Sequence, residues 1–257
     1  RNLLADYDAG GATVGTDWPD HEQSPPENGL TDGLDWALTD ATLVTGVSSY
    51  HGITASFSFN GSSSIGILQG TDTAFREALP FNATSSNGTV EIWFKPDDLS
   101  GTETVIESGG SFSGFSIRLV SDVLEFEVQD LGGGGANDEV IATHDLDVGD
   151  DGMDYNDFIQ VVGVVDMDAD EFRLFVNGAQ IGASLPYSGN IWDGTDGAGL
   201  GGITGDAGGG GAGGFYDGQI AILRVYGRAM TADEILANYE AVTVSATGPQ
   251  GTMFMLF

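Results

Sequence analysis

The chain of 257 residues contains no cysteine, and only 7 lysine and arginine residues stand against 39 aspartate and glutamate residues. Without cysteine it forms no disulfides and offers no thiolate to a metal, so a metal would need oxygen ligands or its 3 histidines. Secreted domains of many animals rely on disulfides. Zero cysteine therefore favours an exported prokaryotic protein.

Basic residues are so scarce that the formal net charge is -32. This charge argues against nucleic acid and against an anionic membrane surface as partners, because both repel a surface of their own sign. No apolar run is long enough to span a bilayer. Salt screens the self-repulsion of such a chain, so a halophilic or marine source is one hypothesis, and an ordinary acidic surface protein is the other.

Alternation of apolar and polar residues dominates the sequence and predicts β-strands. Residues 89–95 (TVEIWFK) place Val90, Ile92 and Phe94 on one face and Glu91 and Lys95 on the other. Two hairpins are predicted, and Asn177-Gly178 predicts a tight turn after the second. The predicted hairpin strands and the last predicted strand are 114–120 with 123–128, 158–165 with 171–176, and 219–226.

One helix is predicted, because Thr231 and Glu234 have the spacing of a capping box before an apolar face that ends at about residue 240. Many strands with one short helix predict an all-β antiparallel sandwich over residues 1–240. Residues 241–257 form a C-terminal extension, in which 242–244 are predicted to form a strand. Two glycine-rich stretches, 132–135 and 197–214, are predicted to be loops that are flexible or packed closely on a neighbouring backbone.

Several segments together resemble the LamG-like jelly-roll domains of the concanavalin A-like lectin/glucanase superfamily. The resemblance extends from residue 3 to residue 240, and its most specific part is the closing stretch 215–239 (FYDGQIAILRVYGRAMTADEILANY). The other matching segments are 3–10 (LLADYDAG), 56–61 (SFSFNG), 89–96 (TVEIWFKP), 104–109 (TVIESG) and 172–178 (FRLFVNG). The chain departs from the family pattern at 157–161 (DFIQV) and at Ala221-Ile222, where an acidic pair is frequent.

The resemblance requires a test for catalysis, because the superfamily includes glucanases. Retaining glycosidases use two carboxylates about 5 Å apart, which the glucanases place on one strand in an E-x-D-x-x-E pattern. The nearest stretch here is Glu125-x-Glu127-x-x-Asp130, which departs from that pattern at two of its three acidic positions. We therefore predict that the protein is not an enzyme. Glycoside hydrolysis is the least favoured of three hypotheses about its function.

Calcium is the predicted cofactor, because members of the family often hold a structural calcium ion and the chain is rich in carboxylates. The first cluster is Asp166, Asp168 and Asp170, which lacks the glycine of an EF-hand loop. The second is the stretch 145–157 (DLDVGDDGMDYND), which is denser in carboxylates but lacks the EF-hand spacing. Asp217 is a further position, expected to lie beside the turn at Asn60. The predicted calcium ligands are Asp145, Asp147, Asp150, Asp151, Asp166, Asp168, Asp170 and Asp217.

Aromatic residues in loop-like stretches are the candidates for stacking on sugar rings: Trp18, Tyr187, Trp192 and Tyr216. The alternative for each is that it covers the edge of the core. Asn60, Asn82 and Asn87 lie in Asn-x-Ser/Thr triplets and are candidate glycosylation sites.

Two functions fit these patterns. The first is an extracellular or cell-surface recognition and adhesion module that binds a glycan or a surface protein. The second is a structural subunit of a surface layer, filament or appendage, which would assemble through sheet edges and the apolar end 253–257 (MFMLF). The first is favoured because recognition is common among LamG-like domains.

Overall fold

The computed structural model describes residues 3–11, 17–18, 35–47, 52–68, 87–110, 113–131, 139–146, 156–191, 197–203 and 214–244. Within these ranges the chain forms two β-sheets, a short 3-10 helix and one α-helix, and no helix there has the length and apolarity of a membrane span. The strands in chain order are β1 (Leu3–Asp8), β2 (Asp17–Trp18), β3 (Trp36–Thr39), β4 (Thr42–Thr45), β5 (Ala55–Asn60), β6 (Ile65–Leu68), β7 (Gly88–Pro96), β8 (Thr102–Gly110), β9 (Ser113–Val120), β10 (Val123–Asp130), β11 (Glu139–Asp145), β12 (Ile159–Asp166), β13 (Glu171–Val176), β14 (Ala179–Pro186), β15 (Ala198–Leu200), β16 (Gly214–Phe215) and β17 (Asp217–Tyr226). The 3-10 helix is Ala9–Gly11, and the α-helix, α1, is Ala232–Val244.

The strands form two layers, which confirms the predicted antiparallel jelly-roll sandwich. The first sheet has the order β14-β13-β12-β7-β17-β5-β4, with β1 paired to β17 as well. The second has the order β11-β10-β9-β8-β15-β6-β3-β2. The short β16 runs parallel to β8, while the other strand pairs are antiparallel.

The main core lies between the two sheets and is formed by alternate residues of their strands. Val90, Ile92 and Phe94 of β7 are buried in it, as the period-two pattern predicts. Gly163 of β12 is a point of close approach between the sheets, because a Cβ there would lie 2.2 Å from the Phe126 ring of the opposite sheet. The ring of Phe126 also packs edge-on against Phe172, with 5.3 Å between ring centroids.

The hairpins occur where the sequence predicts them. Val120 of β9 pairs with Val123 of β10 across the turn at Ser121-Asp122. After β13, Asn177 and Gly178 have φ angles of 49° and 78°, as a type I′ turn requires.

Helix α1 covers the outer face of the first sheet. It buries side chains that alternate with the core-facing ones along the strands and therefore point outward. Trp93 stacks on Tyr239 of the helix, with 5.7 Å between ring centroids and 8° between ring planes. The capping box forms as predicted: the Glu234 amide donates to Thr231 Oγ1 at 3.3 Å, and the Thr231 amide donates to Glu234 Oε2 at 3.0 Å.

The predicted strand at 242–244 is wrong, because these residues form the last turn of α1. Val242 packs against the apolar cluster under the helix, and Thr243 Oγ1 donates to the Tyr239 carbonyl at 3.1 Å. Packing on the sheet therefore overrides the strand preference of two valines and a threonine. The remainder of the extension lies outside the described residues.

The glycine-rich stretch 197–214 is not entirely a loop, since residues 198–200 form β15 inside the second sheet. Gly199 allows this close packing: a Cβ there would lie 2.4 Å from the Gly202 carbonyl oxygen and 2.7 Å from Glu107 Oε1. The predicted close packing on a neighbouring backbone is therefore confirmed for residues 198–200, which pair with β6 and β8. The other glycine-rich stretch, 132–135, lies outside the described residues.

Candidate functional site

A row of polar side chains runs across the outer face of the second sheet. Phe115 and Ile117 of β9 and Phe126 of β10 point into the core, so Ser116 and Glu127 between them point outward. Strand register places Glu127 opposite Ser116, and Ser116 opposite Glu107. The next row places Glu125 opposite Arg118, and Arg118 opposite Thr104. We call these six residues (Thr104, Glu107, Ser116, Arg118, Glu125 and Glu127) the polar strip.

Arg118 lies between the two glutamates of β10 and donates from Nη2 to both. The distances are 2.9 Å to Glu125 Oε2 and 3.1 Å to Glu127 Oε2. Burial raises the pKa of Glu127 to about 7 despite the attraction of Arg118, and the nearby Glu139 and Glu125 add to the rise. This carboxyl group therefore titrates near neutral pH.

The strip has hydrogen-bonding capacity that the described residues leave unused. Ser116 Oγ and Thr104 Oγ1 are buried, and neither has a partner among these residues. The same holds for Arg118 Nε. Buried polar groups are nearly always satisfied in proteins, so three unsatisfied groups within two neighbouring rows mark this face as a candidate site.

The stretch nearest to the glucanase pattern, Glu125-x-Glu127-x-x-Asp130, does not come together as one group. Glu125 and Glu127 share a face, but Asp130 has the opposite parity on β10. Asp130 Oδ2 accepts instead from the Asn190 amide at 3.1 Å.

Three of the four predicted sugar-stacking aromatics lie in the interior. Trp18 packs against Phe57 at 5.3 Å, and Tyr216 packs against Phe94 at 6.0 Å. Tyr187 is fully buried as well. A ring that stacks on a sugar needs an exposed face, so the alternative interpretation, packing at the core, fits these three. Trp192 lies outside the described residues.

The predicted calcium cluster at 166–170 is a turn held by protein groups. Asp166 Oδ1 accepts from the amides of Asp168 and Ala169, both at 3.2 Å. Asp168 Oδ2 accepts from Asn87 Nδ2 at 2.9 Å. Asn87 Oδ1 in turn accepts from the Met167 amide at 2.7 Å, so both polar atoms of the Asn87 side chain are engaged with this turn.

Asp217 lies opposite Asn60 in the register of β17 and β5, as predicted. Asn60 Oδ1 is already engaged with the amides of the following turn, and its side chain is exposed. Burial raises the pKa of Asp217 above its usual value, and the charges of Asp97 and Asp98 add to this rise.

No three carboxylate or histidine side chains come together in an arrangement that could hold a metal ion, as far as the described residues show. The exposed Asp145 ends β11. Asp147, Asp150 and Asp151 lie outside the described ranges, as does Asn82. Calcium binding by that acidic loop therefore stays a prediction.

A cavity of about 540 Å³ lies between β1, β17 and α1. Its charged groups are paired within the protein. Arg224 contacts Asp6 at 3.0 Å, and Arg228 donates to both oxygens of Glu234 at 2.7 and 2.9 Å. It offers fewer unused groups than the polar strip.

Solved structures similar to this chain include binding domains of botulinum neurotoxins. They include the binding domain of botulinum neurotoxin DC in complex with rat synaptotagmin II (TM-score 0.63, 12% identity, covering 93% of this chain and 51% of that chain). The same domain in complex with SialylT has a TM-score of 0.60 at 13% identity and covers 93% and 51%. The serotype D ligand binding domain in complex with N-acetylneuraminic acid has a TM-score of 0.61 at 14% identity and covers 93% and 51%. The chain thus spans about half the length of these structures, and at such identity the likeness shows the fold alone.

No curated protein matches the sequence. A family model described as the concanavalin A-like lectin/glucanases superfamily matches residues 69–236. That match includes β7 to β17, and with them the whole polar strip. Because it covers more than half of the chain, the chain belongs to the Laminin_G_3 family of this superfamily.

Proposed function

We propose that this protein is a non-catalytic recognition and adhesion module that acts outside the cell and binds a glycan or a surface protein through the outer face of its second sheet. The observation that carries the proposal is the polar strip, whose ion pair between Arg118 and Glu125 is partly exposed, with side chains that are 10% and 22% accessible. A ligand on this face would meet that ion pair first. Structural relatives that serve as binding domains support the same class of function.

The test is a glycan array read with the full chain and with two matched charge reversals. Glu125→Lys changes the rim of the strip, where the side chain is 22% exposed. Glu171→Lys is the control, because Glu171 is similarly exposed and also pairs with an arginine, but on the first sheet. We expect Glu125→Lys to weaken binding at least tenfold and Glu171→Lys to leave it unchanged.

Two results contradict this proposal. Equal binding by the two variants would show that the polar strip does not take part in recognition. Failure of the native chain to bind any glycan or any purified surface protein would contradict the recognition function itself. Each array is read with and without a chelator, which tests the calcium prediction separately.

Self-assembly remains a second candidate because one specific feature favours it. β14 forms an edge of the first sheet and its eight residues carry no charge, in a chain whose net charge is -32. Edge strands are usually protected by charged side chains. Size-exclusion chromatography of the native chain, of a chain ending at residue 247, and of Ala183→Lys tests this, since a monomer in every case contradicts assembly.

A further inference from the structure

We infer that the outer edge of the second sheet is a pH-sensitive device, in which three glutamates around one arginine hold β11 against β10 at slightly acidic pH and loosen it at slightly alkaline pH. The four residues are Glu125 and Glu127 of β10, Glu139 of β11 and Arg118 of β9. The inference goes beyond the proposed function, because it concerns the edge strand itself and is tested without a ligand.

Strand register brings Glu127 and Glu139 together on the outer face. Phe126 of β10 and Ala142 of β11 point into the core, so Glu127 and Glu139, which have the opposite parity, lie on the other side of the sheet. Glu139 pairs in register with Gln129, the next outward residue after Glu127. It is therefore a diagonal neighbour of Glu127, at a spacing that long side chains bridge, and the two carboxyl groups are hydrogen-bonded.

The hydrogen bond between these carboxyl groups requires a proton, because an ionised carboxylate only accepts. Glu127 holds this proton more readily, since its side chain is 2% exposed while Glu139 is exposed. Burial raises the pKa of Glu127 to about 7 against the attraction of Arg118, and the charges of Glu139 and Glu125 add to the rise. The proton is therefore bound at pH 5 and lost at pH 8.

The surroundings of Glu127 hold one cation. The described charged and titratable groups that share its face are Arg118 of β9, Glu125 of β10, Glu139 of β11 and, two strands away, Glu107 of β8. His144 of β11 pairs in register with Leu124 and so lies on the core side, and Asp145 lies at the end of β11, opposite Val123. Loss of the proton thus turns the contact between Glu127 and Glu139 from a hydrogen bond into a repulsion of like charges.

β11 is the strand that yields to this repulsion, because it ends the second sheet. Among the described strands it pairs with β10 alone, whereas β9 and β10 each have a partner on both sides. Ala142 is the one fully buried residue of its seven, so little apolar burial opposes a local opening. An outward movement of β11 separates Glu139 from Glu127 and lets water reach the ionised carboxylate.

The direction of the pH dependence follows from proton linkage. The closed edge binds a proton that the open edge releases, because Glu127 in water returns to its ordinary pKa of 4.5. Between about pH 4.5 and pH 7 the closed form of β11 therefore loses stability relative to the open form, by up to tenfold per pH unit. Above about pH 7 this loss is complete.

Amide hydrogen exchange of the full chain at pH 5 and pH 8, followed by mass spectrometry and corrected for the intrinsic exchange rate, measures the opening of β11. β14 is the internal control, because it is also an edge strand and carries no ionisable side chain. We expect the protection of β11 to fall at least tenfold between these pH values, relative to that of β14.

Three variants assign the effect. Glu127→Gln keeps a donor for Glu139 and an acceptor for Arg118 but does not titrate, so the fall in β11 protection should disappear. Glu139→Gln removes the repelling charge and should reduce the fall. Glu171→Gln is the matched control, a partly exposed glutamate paired with an arginine on the first sheet, and should leave the fall as it is in the native chain.

Three results would overturn the inference. Constant protection of β11 in the native chain would show that the edge does not respond to pH, and equal falls in β11 and β14 would show that pH acts on the whole fold. A fall that Glu127→Gln or Glu139→Gln retains in full would assign it to another group. Glu139 is exposed, so Glu139→Gln decides the question even if Glu127→Gln does not fold.

Discussion

Glu91 is a buried carboxylate that joins the first sheet to the helix above it. Its Oε1 accepts from Trp93 Nε1 at 3.0 Å and from Gln160 Nε2 at 2.8 Å. Its Oε2 accepts from Tyr226 at 3.1 Å and from Asn238 of α1 at 2.9 Å. Arg224, which also pairs with Asp6, lies 3.5 Å from Oε1. Removing the Glu91 carboxylate leaves the buried donors of Trp93, Gln160 and Tyr226 without this acceptor.

Glu91→Ala should therefore lower the free energy of unfolding by about 3–5 kcal/mol, as when one partner of a buried ion pair is removed. Urea denaturation followed by circular dichroism measures the change. The control is Glu171→Ala, a partly exposed glutamate paired with Arg173 at 3.0 Å, for which about 0–1 kcal/mol is expected. Equal losses for the two variants would show that the Glu91 network adds nothing beyond a surface pair.

Two other glutamates make stability depend on pH. Burial raises the pKa of Glu103 and of Glu127 to about 7, from an ordinary value of 4.5. Between these values the folded chain binds more protons than the unfolded chain, so its stability decreases as the pH rises from about 4.5 to about 7. Glu234, whose pKa is lowered to about 2 by Arg228, acts in the opposite direction only as the pH falls below about 4.5.

We accordingly expect a higher urea midpoint at pH 5 than at pH 8, and a smaller difference in the double variant Glu103→Gln and Glu127→Gln. A midpoint that rises between pH 5 and pH 8 would contradict these assignments.

At the scale of the elements, the start of α1 depends on a local cap. Thr231→Ala removes the hydroxyl that accepts from the Glu234 amide and should cost about 1 kcal/mol. Thr243→Ala is the matched control in the same helix, because alanine favours helix more than threonine, and it should be neutral or stabilising. Thermal unfolding of both variants checks the prediction, and a loss at Thr243 as large as that at Thr231 would argue against the capping role.

Long amphipathic strands were predictable because their alternation is a local property. β7, β9, β10, β12, β13 and β17 all extend over six residues or more, and each was predicted within a few residues of its observed ends. The three-residue β15 was not, because glycine carries no side-chain pattern and its pairing depends on contacts with β6 and β8. The predicted end of α1, at about residue 240, was wrong for a related reason. Val242 is helical because it packs on the sheet, and this contact is not a local property of the sequence.

The candidate site was less predictable than the fold. The sequence places Glu125 and Glu127 on one face of a predicted strand. Glu107 and Ser116 join them only through the register of β8, β9 and β10, which the sequence does not show. The aromatic candidates failed because a loop-like stretch of sequence says nothing about whether a ring turns inward. Trp18 and Tyr216 both turn inward, to Phe57 and Phe94.

For the whole molecule, the net charge of -32 predicts a dependence on salt. Like charges repel in the compact state, and this repulsion is screened over about 10 Å at 0.1 M salt and about 3 Å at 1 M. We expect the melting temperature to rise between 0.05 and 1 M sodium chloride, with most of the gain at the lower concentrations. The same rise in potassium chloride would attribute it to screening, and a constant or falling melting temperature would contradict self-repulsion and the halophilic hypothesis.

The contact of Phe126 with Gly163 also has a consequence for how the molecule tolerates change. A methyl group at position 163 would lie 2.2 Å from the aromatic ring, which is too close for the ring to remain where it is. The ring cannot move away freely, because Phe115 and Phe172 pack against it at 6.1 and 5.3 Å. Gly163→Ala would therefore push the two layers apart at this point. The resulting strain would displace β10, and with it Glu125 and Glu127 on the opposite face of the same strand. A change in the interior would in this way alter the outer surface without touching it.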